Sequence, residues 1–323
     1  MSITLQKHNI RILEYISQTD FDQINKLMEQ CISQDQINLK LEHDYKLHLS
    51  NLAAKDETKV SGKANEFLYY YNDELVAYLG ISCFDGVTGE LCGMTHPMHR
   101  NKGFFHRLLS LASNECRHSN YSKLLILADG KSESGMSFLK TNGSSYAHSE
   151  YRMKRLSTIA SSDVDKELTK EVFSSNEPAI TTSELEIRSA VKADEKVIAR
   201  QNAIYFGEEE IVEETGEYKI TPLEDNPENY KTYMIDLEGI SIGKINVDYS
   251  DGYAFICGFG ILPEYRRRGF GRQAMLKTIH LIEAQGINTI ELDVVCTNQN
   301  ALGLYQSCGF EEQSVMNYYH LTV

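Results

Sequence analysis

Apolar and polar positions along this chain repeat one order of elements twice. In the first half, apolar residues recur at helical spacing through Phe21, Ile24, Leu27, Met28, Cys31 and Ile32, and charged helical sequence follows to about Leu52. Aromatic and β-branched runs then predict strands over residues 67–72, 75–84 and 90–95, the first two joined by a turn at Asn72-Asp73-Glu74. A helix is expected over 104–117, a buried strand over 123–128, a short helix over 135–141 and a closing strand over 146–156. The second half predicts strand 185–189, helix 193–205, strand 232–237, a turn at Glu238-Gly239, and strands 241–249 and 253–261. It continues with helix 270–285, strand 289–295, helix 300–308 and strand 314–322.

Between the halves, residues 157–184 hold ten Ser or Thr among 28 positions, with scattered acids and Pro178, which is linker composition. The chain is therefore expected to be α+β, with two tandem domains, each a mixed, mostly antiparallel sheet flanked by helices. The expected division is residues 1–157, a linker over 158–184, and residues 185–323.

The halves match most closely at two turns. Pro97-Met98-His99-Arg100-Asn101-Lys102-Gly103-Phe104-Phe105-His106 and Pro263-Glu264-Tyr265-Arg266-Arg267-Arg268-Gly269-Phe270-Gly271-Arg272 superpose at a constant offset of 166 residues. The same offset sets Gly143 opposite Gly309 and Leu139 opposite Tyr305. Backbone N–H groups at a helix start have no helical partner and carry partial positive charge, so such a turn can cradle a phosphate. Gly269 and Gly271 allow close approach to the backbone, and Arg266, Arg267, Arg268 and Arg272 add a local cationic field. Alone, this turn reads equally well as a strand-to-helix corner with solvated arginines. Upstream, Cys257-Gly258 lies nine residues before Arg266 but Cys92-Gly93 only eight before Arg100, so a β-bulge is expected in the second half and not the first.

Bulk properties narrow the partners. Across 323 residues, 32 basic side chains face 46 acidic ones, a net charge of −14, which disfavours a nucleic-acid or membrane partner. Seven cysteines without C-x-x-C spacing fit a reduced protein, and the N-terminal stretch lacks the apolar core of a signal peptide; a soluble, cytoplasmic protein is expected. Gly130-Lys131-Ser132 lacks the upstream glycine of a P-loop, and His96, His99 and His106 lack metal-ligand spacing, so no metal is expected. Tyr69-Tyr70-Tyr71 reads as strand packing.

With its turn, the strand before it and the Asn298-x-Asn300-Ala301-x-x-x-Tyr305-x-x-x-Gly309-Phe310 segment after it, the stretch from Leu185 to Val323 resembles the GNAT superfamily of acyl-CoA-dependent N-acetyltransferases. The resemblance implies that acetyl-CoA is the acyl donor and that its diphosphate is bound by backbone amides of Arg267, Arg268, Gly269, Phe270, Gly271 and Arg272, with Arg266 beside them. It further implies main-chain contacts from Gly260 and Ile261 to the pantetheine and thioester carbonyl, a cofactor contact from Asn300, and proton donation by Tyr305 to the departing thiolate. A phenol, with a pKa of about 10, can supply that proton at neutral pH.

The first half resembles a divergent GNAT domain. Phe105 replaces the second glycine and Leu139 cannot donate a proton, so this half is expected to be catalytically silent, and the chain to be an intramolecular pseudodimer whose arrangement resembles that of mycothiol synthase. The expected reaction is acetyl transfer to a primary amine of a small molecule or peptide by direct attack in a ternary complex. The loop from Gly207 to Glu217, with six glutamates in ten residues, would favour a cationic acceptor, or is a solvated acidic face. Glu291 and Asp293 are candidate bases, or the polar side of a strand. A non-catalytic acyl-CoA sensor and a pseudodimer without ligand are the alternatives.

Overall fold

The computed structural model describes residues 7–55, 62–84, 86–119, 121–156, 185–206, 211–212, 217–218, 220–250 and 252–321. The first elements are β1 (His8–Leu13), α1 (Gln18–Asp35), α2 (His43–Ala53), β2 (Glu66–Tyr71), β3 (Glu74–Ser82) and β4 (Thr88–Thr95). They are followed by α3 (Phe104–His118), β5 (Lys123–Asp129), α4 (Glu133–Thr141) and β6 (Ser145–Leu156). Next come β7 (Leu185–Ser189), α5 (Glu195–Phe206), a minimal pair β8 (Ile211–Val212) and β9 (Glu217–Tyr218), β10 (Tyr230–Leu237), β11 (Ile240–Ser250) and β12 (Tyr253–Ile261). The chain closes with α6 (Phe270–Glu283), β13 (Thr289–Val295), α7 (Gln299–Ser307) and β14 (Glu311–His320). No helix among the described residues is long and apolar enough to cross a membrane.

The chain divides into two compact units, one of Met1–Tyr151 with Ser314–Val323, the other of Arg152–Gln313. This differs from a cut between residues 157 and 185. Residues 316–320 of β14 pair antiparallel with β5, from Met316 opposite Asp129 to His320 opposite Leu125, and put Tyr318 at 1% exposure in the first unit's core. Residues 152–156 of β6 belong to the second unit. Side-chain alternation specifies which face of a strand is buried, but it does not name the neighbouring strand. The expected linker lies outside the described residues.

In the first unit the strand order is β1, β2, β3, β4, β5, β14, β6. Both faces of this sheet are buried: Leu68 and Tyr70 join α1 residues Ile24 and Leu27 in one core, whereas Phe67 and Tyr69 join α3 residues Leu108 and Ala112 in the other. Period-two alternation in β2 thus feeds two layers of helix, and the tyrosine run is strand packing. One buried polar group crosses this core. Lys46 Nζ lies 3.0 Å from Glu66, and the Tyr78 hydroxyl donates to the same carboxylate. Burial pushes the Glu66 carboxyl up in pKa, against the pull of Lys46 and Tyr78. Lys46→Met removes the cation and leaves the acid buried, and is expected to cost about 3 kcal/mol of unfolding free energy, read as a lower urea midpoint.

The second unit orders its strands β13, β12, β11, β10, β7. α6 buries Ala274, Met275, Thr278, Ile279 and Ile282, the i, i+1, i+4, i+5, i+8 stripe of a helix lying on a sheet. The β11–β12 ladder pairs Lys244 with Gly260 but Asn246 with Cys257, a register shift that is absent from the β3–β4 ladder. This is the bulge expected from the Cys-Gly spacing, and Gly258 takes the left-handed φ of +52° there.

Candidate active site

Two local features prepare the site. The parallel ladder between β12 and β13 runs only from Ala254 opposite Ile290 to Ile256 opposite Leu292, so past the bulge β12 continues to Ile261 without that neighbour. Immediately afterwards the chain turns through a short 3-10 segment, Pro263–Tyr265, into α6. Arg267 and Gly269 in this turn have φ of +61° and +82°, and Asn101 and Gly103 in the first unit have +61° and +80°, so the offset seen in sequence is a repeated backbone conformation. Left-handed residues beside a helix start converge successive N–H groups on one concavity, and residues 266–269 are exposed.

Beside the turn lies a cavity of about 680 Å³. Of the residues expected at the site, Gly260, Ile261, Arg266, Arg267, Gly269, Gly271, Arg272, Asn300 and Tyr305 line it. Arg268 and Phe270 do not. The Arg268 guanidinium sits 5.8 Å and 5.0 Å from the ring centroids of Tyr265 and Phe270, and Phe270 itself is buried in the core as the first residue of α6. Arg266 Nε donates to the Ile261 carbonyl at 2.7 Å, bracing the strand end against the turn. Arg272 reaches the Ser307 carbonyl at 3.4 Å and ties the first turn of α6 to the end of α7.

α7 presents Tyr305 to the cavity. Asn298 caps the helix by accepting from the Ala301 N–H at 3.2 Å, which leaves Asn300 in its first turn and Tyr305 about one and a half turns on. The Tyr305 ring meets Phe310 edge-on at 6.1 Å, and burial, reinforced by Cys308, pushes its phenol up to about 12. Its proton is therefore held throughout the neutral range.

Sequence reasoning missed Tyr205, Phe259, Leu304 and Ser307 as lining residues. Phe259 had a signal in the glycines on either side of it. Tyr205 had none: it comes from α5, far away in sequence, and its ring occupies the space that a Cβ on Gly260 would need. Of the two readings of Glu291 and Asp293, the ion pairs favour the polar side of a strand. Asp293 accepts from Arg152 Nε at 2.6 Å, and Glu291 lies 3.3 Å from Arg152 and 3.5 Å from Lys154, so both carboxylates are committed to ion pairs on β13. Most of the acidic loop, residues 207–210 and 213–216, lies outside the described residues. Among the described residues no group of three or more His, Cys, Asp or Glu side chains is placed to hold a metal.

The corresponding turn of the first unit carries a bulkier side chain. Phe105 stands where Gly271 does in the second; its ring meets Phe138 edge-on at 5.0 Å and lies 2.9 Å from where a Cβ on Gly93 would project. Leu139, opposite Tyr305, is 1% exposed within the core. Arg100 Nε bonds the Thr95 carbonyl as Arg266 bonds Ile261, but its guanidinium is also paired with Asp35 at 2.6 Å.

Residues 198–310 match the Acetyltransferase (GNAT) family. Among curated relatives, the [ribosomal protein bS18]-alanine N-acetyltransferase of Escherichia coli is 36% identical over 70 residues, 21% of this chain and 47% of that protein. The uncharacterized N-acetyltransferase YycN of Bacillus subtilis is 36% identical over 63 residues, 20% of this chain and 40% of that protein. The chain thus spans less than half the length of these relatives. Among solved structures, a GCN5-related N-acetyltransferase from Sphaerobacter thermophilus aligns with TM-score 0.66 at 15% identity, covering 97% of this chain and 95% of that one. A tandem GNAT protein from the clavulanic acid biosynthesis pathway aligns with TM-score 0.66 at 12% identity, covering 98% and 99%. At these identities the likeness is one of fold, and it extends over the whole chain.

Proposed function

We propose that this chain, whose residues 198–310 match the Acetyltransferase (GNAT) family, transfers the acetyl group of acetyl-CoA to a primary amine. The observation that carries this reading is a single cavity lined both by the arginine-glycine turn and by the Tyr305 phenol. The turn offers main-chain N–H groups and arginine side chains to a diphosphate, in a protein whose overall charge is −14 and which would otherwise repel it. Gly269 and Gly271 leave that approach open. Past the bulge, the main chain of residues 257–261 is not paired with β13 and can bond the amides of the pantetheine arm.

Acetyl-CoA supplies an acyl group activated as a thioester. As the amine nitrogen bonds to the carbonyl carbon and the carbon–sulfur bond breaks, Tyr305 gives its proton to the departing sulfur, and the amine's own proton passes to water. With Glu291 and Asp293 held in ion pairs, no carboxylate on β13 takes part. Because burial keeps the phenol neutral to about 12, above its ordinary value of about 10, turnover is expected to show no alkaline fall below about pH 11. The rise due to deprotonation of the acceptor should level off instead. A kcat/KM profile measured upward from neutral pH checks this, and a fall centred near 10 would indicate an unshifted acid.

In the first unit, Phe105 and Leu139 occupy the places of a diphosphate-admitting glycine and of the acid, so that unit acts as a non-catalytic partner. The acceptor is sought by following thiol release from acetyl-CoA with polyamines, aminoglycosides, amino acids and peptide N-termini. A peptide beginning with alanine belongs in that panel because of the relative that acetylates such an end. Thiol release that depends on one of these amines is the expected result. Coenzyme A binding without release for any amine would instead indicate a sensor of acyl-CoA.

A further inference from the structure

We propose that Lys244 is a positioning residue for the thioester: its buried ammonium pins the Gly258 carbonyl and thereby sets the bulge that turns the main chain of Phe259 toward the cavity. The inference rests on reading that cavity as an acetyl-CoA site.

Lys244 is 1% exposed, and its Nζ donates to the Gly258 carbonyl at 3.0 Å. A buried ammonium is costly unless hydrogen-bonded, and methionine would fill the same space without a charge, so the residue type calls for a polar reason. The carbonyl it holds belongs to the residue at which the strand leaves its register. Lys244 opposes Gly260 and Asn246 opposes Cys257, leaving Gly258 and Phe259 both opposite Ile245. Gly258 has the left-handed φ of +52°, and a Cβ there would collide with Asn246 Nδ2 and lie 3.1 Å from Lys244 Nζ. The two side chains of β11 therefore occupy the room that the bulge leaves.

The consequence follows from peptide geometry. In a planar trans peptide the carbonyl and the next N–H point in opposite directions. With the Gly258 carbonyl drawn to Lys244, the Phe259 N–H faces away from it, and Phe259 and Gly260 line the cavity, whereas Lys244 and Asn246 are not among its lining residues. A main-chain donor fixed there is suited to polarise a thioester carbonyl. The chain contains its own control. The position equivalent to Lys244 in the first unit is Tyr78, whose hydroxyl serves Glu66, and there β3 and β4 pair in unbroken register from Ala77 opposite Thr95 to Ser82 opposite Glu90. The β3–β4 ladder, which lacks the lysine, has no such register shift.

The test compares the wild type and Lys244→Met, each bound to acetyl-CoA carrying ¹³C at the acetyl carbonyl. The wild type is expected to move that resonance downfield of its free position. In Lys244→Met the resonance should return at least halfway to the free value and amine-dependent thiol release should fall about tenfold or more, while the Kd for coenzyme A without an acyl group changes by less than about threefold. A lesion that merely destabilised the fold would not separate these readouts. If Lys244→Met does not fold, Gly258→Ala, which displaces the same carbonyl and keeps the ammonium, is expected to give the same loss. Either variant with a wild-type carbonyl shift and wild-type thiol release overturns the proposal and leaves the acetyl-CoA reading intact. No binding of coenzyme A by the wild type overturns that reading, and this inference with it.

Discussion

The Gly271→Phe variant is expected to lose coenzyme A binding, its Kd rising about 100-fold or more, equivalent to about 2.8 kcal/mol. Gly271 lines the cavity between the turn and α7, and a Cβ there would already lie 3.0 Å from Leu304 Cδ1 and 3.8 Å from the Phe259 ring. A benzyl group has nowhere to go but into the space assigned to the diphosphate and the start of the pantetheine arm. The fold should survive, because the first unit carries Phe105 at the same position of the same turn, packed against Phe138 within an intact core. Calorimetric titration of coenzyme A into the variant reads the effect, with a thermal melt within a few degrees of wild type as the control. Unchanged affinity would mean that the diphosphate does not lie against this turn.

Tyr305→Phe is expected to lower turnover about 100-fold while leaving the Kd for acetyl-CoA within about twofold. The substitution removes a single oxygen and keeps the ring that packs edge-on against Phe310, so binding has little to lose. The chemical step, in contrast, loses the donor whose proton burial holds up to about 12. A residual rate is expected because water can protonate a thiolate, which is a good leaving group. Thiol release under saturating donor, alongside calorimetry on the same preparation, separates the two quantities. A variant that turns over at the wild-type rate removes Tyr305 from the mechanism. One that fails to bind acetyl-CoA makes the hydroxyl a binding group instead of an acid.

Much of this architecture was legible because its determinants are local. Strands 185–189, 253–261 and 289–295 have the ends expected from alternation and turn residues, and α3 and α6 begin where Gly103 and Gly269 are followed by amphipathic sequence. β1 was not anticipated: residues 8–13 are short and only partly buried, and their strand character comes from pairing Ile10 with Tyr69 and Ile12 with Phe67 in β2. The destination of β14 was likewise invisible, since what decides it is the match of Met316 and Tyr318 to a core built by residues near the other end of the chain.

The site divides in the same way. The turn, Asn300 and Tyr305 form a pattern within one stretch of sequence, and a nine-residue against an eight-residue spacing was enough to expect the bulge. Tyr205 and Lys244 reach the bulge and the cavity edge from other elements, α5 and β11, and only tertiary packing brings them there. Glu291 and Asp293 had the right strand and the right face for a base, but Arg152 from β6 claims both, and no spacing in the sequence connects residues 152 and 293.

The most direct test of the account is a crystal structure of the full chain grown with excess coenzyme A. It is predicted to show the diphosphate on the main-chain N–H groups between Arg267 and Gly271, with the sulfur within hydrogen-bond reach of the Tyr305 hydroxyl. An empty turn in the second unit, or a sulfur lying well away from residue 305, would contradict it.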